Sequence, residues 1–110
     1  MKIFDLYKIP SFPYEKRDKN VFYQVEEFKT RIINLYAGEK IPECEMASYV
    51  IFIVLKGEAI VTADLKESVI DEGKCLISEP AVLSLRTKNG ARIMGIQINK
   101  STNTIIMEKR

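Results

Sequence analysis

Gly38-Glu39-Lys40-Ile41-Pro42-Glu43-Cys44-Glu45-Met46-Ala47-Ser48-Tyr49-Val50-Ile51-Phe52-Ile53-Val54-Leu55-Lys56-Gly57 is the stretch that decides how this chain folds. Its second half, Tyr49–Leu55, is an unbroken run of aromatic and aliphatic residues closed by Lys56-Gly57. A strand of that composition is apolar on both faces, so neither face is left in water. One face fills an interior, and the other meets a second layer or a second subunit. The run is far too short to span a bilayer.

Outward from this stretch, strand signals repeat along the chain. Lys2–Ile9, Val21–Lys29, Arg31–Ala37, Tyr49–Leu55, Glu58–Ala63, Ser68–Ile70, Lys74–Ser78, Val82–Thr87, Arg92–Ile98 and Thr104–Met107 are short, and most are rich in Val, Ile, Phe, Tyr and Thr. Gly38, Gly57, Gly73 and Lys88-Asn89-Gly90 punctuate them. The Asn89-Gly90 pair reads as a tight hairpin between two strands, because both residues tolerate positive φ. No window carries a sustained helical stripe; Val25–Lys29 has room for one turn at most. The pattern predicts an all-β sandwich or barrel in a single domain over residues 1–110. Residues 1–30 read as N-terminal strands, made stiff by Ile9-Pro10 and Phe12-Pro13 and suited to exchange between two subunits. Residues 31–98 read as the barrel core.

Composition narrows the function classes. The 110 residues hold 17 Lys and Arg against 15 Asp and Glu, a net charge of +2 with no basic cluster. That balance points away from nucleic acid and from acidic membranes. The densest charge run, Glu15–Lys19, mixes signs and reads as a solvated loop. The N-terminus has no apolar signal region, and the expected compartment is the cytoplasm. Cys44 and Cys75 match no zinc or redox spacing and read as free, buried thiols.

The spacing of the decisive stretch resembles the first signature motif of the cupin superfamily. That motif runs glycine, five residues, His, one residue, His, three or four residues, Glu, six residues, glycine. Gly38 and Gly57 occupy the glycine positions, while Cys44, Met46 and Val50 stand where His, His and Glu belong. The second motif is also traceable: Gly73 lies one residue further than usual from Pro80, Val82 replaces a glycine, Leu85 replaces the third His, and Asn89 is kept. The resemblance covers about residues 31–98 and implies a small jelly-roll, or double-stranded β-helix, barrel.

Members of that superfamily typically hold iron, manganese, nickel or zinc through three His and one Glu. Here the chain contains no histidine at all. Valine and leucine ligate nothing, and a thiol with a thioether suits at most a soft ion such as copper(I). A catalytic divalent site usually takes three protein ligands. Strand alternation turns Glu43 and Glu45 away from Cys44 and Met46. The expectation is therefore no metal and no cofactor, with Cys44, Met46, Val50 and Leu85 filling an apolar core. If the barrel mouth is instead open, Cys44, Met46, Val50, Phe52 and Leu85 line a pocket for a small apolar or aromatic ligand.

Other catalytic arrangements are weak. Without histidine there is no Ser-His-Asp or Cys-His pair. A nucleophilic Cys44 needs a neighbouring cation, and Lys40 is the only one within a few positions. Glu79, Asp71 and Glu72 read as solvated turn carboxylates, and no glycine-rich phosphate cradle exists. Phe22, Tyr23, Phe28 and Tyr36 read as core, with pocket lining as the alternative. The leading function is a metal-free small-molecule binding module, acting as a homodimer, without nucleic-acid or membrane partners. The alternatives are an isomerase or dioxygenase using unconventional ligation or metal-free acid/base chemistry, and an assembly platform. Catalysis stays undecided, leaning against.

Overall fold

A computed structural model describes residues 1–99. Within them eight strands form: β1 (Val21–Gln24), β2 (Phe28–Leu35), β3 (Lys40–Met46), β4 (Val50–Ala63), β5 (Lys66–Asp71), β6 (Cys75–Ser78), β7 (Ala81–Arg86) and β8 (Ala91–Ile98). All pairings are antiparallel, and the strands curl into a jelly-roll barrel of two facing sheets. The first sheet runs β1-β2-β8-β4-β6 and the second β5-β4-β7-β3, so β4 belongs to both.

The continuity of β4 is the main structural device. Its first half pairs Ile51 with Ile96 and with Ile77, while its second half pairs Val61 with Ser68 and with Leu85. Between the halves the register against β8 slips at Val54/Lys56, and Gly57 sits at φ +80°. A bulge and a glycine at one point let a strand bend and change sheets. At that corner Glu58 N–H donates to Gly90 O at 3.2 Å, and the Thr87 hydroxyl donates to Glu58 O at 2.7 Å. Tyr49–Leu55 and Glu58–Ala63, read as two strands, are thus one strand with a glycine corner.

Period-two alternation along β4 sorts its side chains. Val50, Phe52 and Val54 are buried, whereas Ile51, Ile53 and Leu55 on the other face are half-buried. The inward set continues through Ala59 and Val61 and meets Ile33 and Leu35 of β2, Ile70 of β5, Leu83 and Leu85 of β7, and Ala91 and Ile93 of β8. Val54, Val61 and Ile93 are almost wholly removed from water, each contributing about 1.5–3 kcal/mol by area burial.

Several expectations fail for local reasons. Lys2–Ile9 is not a strand. The Asp5 side chain accepts from Tyr7 N–H and Asp5 O accepts from Lys8 N–H, both at 3.0 Å, which makes a turn. The segment is instead pinned outside the barrel. Arg92 donates from Nε to Leu6 O at 3.0 Å and from Nη2 to Ile9 O at 2.7 Å, and the Tyr7 hydroxyl donates to Leu55 O at 3.0 Å. Ile32 is in phase with outward-facing positions yet fully buried, so that face of β2 is covered.

Val21–Lys29 divides into β1 and the start of β2 across a turn at residues 25–27. The Glu15–Lys19 run lies in a 3-10 segment, Tyr14–Asn20, kinked at Lys16, rather than a loop. The Asn89-Gly90 turn makes no hairpin: β7 pairs with β3 and β4, β8 with β2 and β4, and the turn carries the chain from one sheet to the other. Strand β3 was not among the expected strands; it is an edge strand, mostly exposed, with charged residues and Pro42, which erase the usual signature. Thr104–Met107 lies outside the described residues.

Candidate functional site

The barrel has two unlike ends. Around Val54, Ala59, Val61, Ile70, Ala91 and Ile93 it is a closed core. At the other end it encloses a cavity of about 380 Å³, partly open to solvent. Strand alternation builds the wall: β2 contributes Arg31, Ile33 and Leu35, β3 contributes Ile41, Cys44 and Met46, β4 contributes Val50 and Phe52, and β7 contributes Leu83 and Leu85. Gly95 of β8 lies opposite both Arg31 and Phe52 in the sheet, and the side chains of Arg31, Phe52 and Ile33 pack over it. The rim is formed by Phe12, Pro13, Tyr14, Arg17 and Asp18 of the N-terminal segment.

Local hydrogen bonding holds the rim. The buried Asn20 amide clasps the backbone of Phe12, accepting from its N–H at 2.7 Å and donating to its carbonyl at 3.0 Å. Arg17 donates to Tyr14 O at 3.1 Å and lies 4.3 Å from the centre of the Tyr14 ring. Glu39, also at the wall, accepts from Tyr36 N–H at 2.6 Å. Of the charged side chains there, Arg17 and Glu39 are thus already committed to partners.

Arg31 is different. It points inward from β2 and is half-buried, and its guanidinium makes no hydrogen bond or ion pair among the described residues. Burial pushes its pKa below the ordinary arginine value; Asp18 opposes that shift, Arg17 adds to it, and Cys44 opposes it. Sequence reading passed over Arg31, Arg17 and Asp18. A signal existed for Arg31, which keeps step with Ile33 and Leu35, a cation in phase with buried positions.

Cys44, Met46, Val50, Phe52 and Leu85 all border this cavity. Val50, Phe52 and Leu85 are buried in the core cluster and Met46 packs against it. Cys44 is exposed, and so is Cys75 on β6, which corrects the expectation of buried thiols. Both lie on edge strands, where alternation does not guarantee cover. Cys44 is therefore expected to react with Ellman's reagent in the folded protein without denaturant, and its protection would contradict this placement.

The four positions aligned with a cupin metal site do come together, but their donors do not fit that metal. Cys44 and Met46 offer two soft sulfurs, and Val50 and Leu85 offer none. Among the described residues no group of three His, Cys, Asp or Glu side chains is placed to hold an ion. Glu79, Asp71 and Glu72 are exposed and stand outside the cavity wall, with Asp71 3.0 Å from Lys74 Nζ. Phe22, Tyr23 and Phe28 are also absent from the wall. Phe4 meets Phe22 edge-on at 4.9 Å and Tyr23 at 6.1 Å, tying the N-terminal segment to β1, while Tyr36 is exposed. No described helix is long and apolar enough to cross a membrane.

No protein-family model and no curated protein matches the sequence. Solved structures do match the fold. A protein from Thermus thermophilus superposes with a TM-score of 0.76 at 19% identity, over 89% of this chain and 97% of that one. A cupin superfamily protein from Desulfitobacterium hafniense gives 0.69 at 17% identity, over 73% and 74%. An RmlC-like cupin family protein from Methanocaldococcus jannaschii, with a double-stranded β-helix fold, gives 0.64 at 23% identity, over 72% and 76%. Sheet topology, the Gly57 corner and these superpositions agree: the chain has the cupin fold.

Proposed function

We propose that the protein is a small-molecule binding module whose site is the open end of the barrel. The observation that carries this reading is the cavity itself, about 380 Å³ in volume and walled mainly by apolar side chains with a few convergent polar ones. Ligand sites of that kind run from about 300 to 1,000 Å³. Met46 adds an adaptable apolar wall. Cys44, Met46, Val50, Phe52 and Leu85 are its proposed contacts, and its chemistry requires no metal or cofactor.

The proposal includes a homodimer. Among the described residues strand β6 pairs only with β4, and Ile77 on it is 67% exposed beside the half-buried Ile51. An apolar strand edge of this kind is suited to a second copy. Native mass spectrometry of freshly purified protein, beside a denatured spectrum, tests both parts. The expected result is a dimer carrying a non-metal adduct lost on denaturation. A monomer contradicts the dimer, and a stoichiometric transition metal contradicts the metal-free site.

A further inference from the structure

We propose that the cavity takes a small organic acid, an apolar or aromatic body carrying one carboxylate, and that Arg31 is the residue that holds the carboxylate. The inference rests on the pocket reading above and names its ligand class. The side chain of Arg31 runs along the cavity wall, with its Cγ 3.5 Å from the position a β-carbon on Gly95 would occupy. Its guanidinium is half-buried and has no hydrogen-bond or ion-pair partner among the described residues. An unpaired, partly desolvated cation is costly, and proteins normally pair such groups or leave them in water. Arg31 has five donors in a planar fork, the geometry that matches a carboxylate with two parallel bonds.

The neighbouring charges set the size of the anion. Arg17 and Lys40 stand at the wall with Asp18 and Glu39, and Arg31 brings the local balance to one positive charge. Arg17 is engaged with Tyr14 and Glu39 with the Tyr36 amide. Asp18 is near enough to act on Arg31 electrostatically but makes no ion pair with it. A monoanion neutralises this balance, whereas a dianion meets Asp18 and Glu39 with excess charge. The apolar body then lies along Ile33, Met46, Phe52 and Leu85.

The test compares indole-3-acetate with its neutral amide, indole-3-acetamide, by NMR-detected titration of the wild type, Arg31→Gln and Arg31→Lys. The acid is expected to bind wild type at least tenfold more tightly than the amide, within the range for a hydrogen bond to a charged group. Arg31→Gln should erase that preference and Arg31→Lys restore part of it. Arg31→Gln should also stay folded without ligand, because the guanidinium makes no hydrogen bond or ion pair among the described residues. Equal binding of acid and amide to wild type overturns the organic-acid proposal and leaves the pocket reading standing. An acid preference that survives Arg31→Gln overturns the role of Arg31. Failure of both compounds to bind overturns the pocket reading together with the proposal.

Discussion

Gly57→Ala is expected to destabilise the protein by about 3–5 kcal/mol, a large fraction of the stability of a domain this size. Two effects add. Gly57 has φ +80°, a region that costs a non-glycine residue about 1–2 kcal/mol. A β-carbon there would also overlap the backbone carbonyl of Gly90 and reach 3.1 Å from Ala91 Cα. The carbonyl has little freedom to retreat, because it accepts from Glu58 N–H at 3.2 Å and belongs to the turn closed by Gly90 N–H on the Thr87 hydroxyl at 2.9 Å. Gly38→Ala is the control. Gly38 has φ +81° but nothing within 4 Å of the added carbon, so only the conformational cost remains. Chemical denaturation of both variants should separate them by about 2 kcal/mol or more. Equal losses would mean that the corner relaxes around the extra methyl group.

Arg92→Ala is expected to release the N-terminal segment while leaving the barrel folded. The two guanidinium bonds to Leu6 O and Ile9 O, at 3.0 and 2.7 Å, are the charged links between that segment and β8. Losing them should weaken docking by about 2–4 kcal/mol, roughly thirty- to several-hundred-fold in the detached population. The Tyr7 bond to Leu55 O and the Phe4 contacts with Phe22 and Tyr23 persist, which keeps the effect below complete loss. Trypsin cleavage after Lys8 should accelerate by that order, with the far-ultraviolet β spectrum unchanged. Because Phe12, Tyr14 and Arg17 on the same segment form the cavity rim, ligand binding should weaken as well. Unchanged cleavage at Lys8 would show that the aromatic contacts alone hold the segment.

What could be read in the sequence was local in origin. The doubly apolar run around Val50–Leu55 and the glycine at 57 depend on side-chain period and backbone φ, and both are visible residue by residue. Alternation also brought Cys44, Met46, Val50, Phe52 and Leu85 to one cavity wall. Strand partnership was not visible. Asn89-Gly90 specifies a turn, but which strands pair on either side of it is decided by contacts distant in the chain. The exposure of Cys44 and Cys75 follows from edge positions that only the assembled sheets define. Asp5 reversed an apparent strand by binding its own backbone, a competition that composition hides. Arg31 was missed because a charged residue interrupts the apolar pattern, although it keeps phase with Ile33 and Leu35.

Binding at the open end of the barrel can be read by amide chemical-shift mapping during a ligand titration. With indole-3-acetate and ¹⁵N-labelled wild type, the expected result is saturable shifts centred on Arg31, Ile33, Phe52, Leu85 and Gly95, with the core residues Val61 and Ile70 unmoved. Shifts that fail to saturate, or that gather on Ile51 and Ile77 of the outer face, would contradict it.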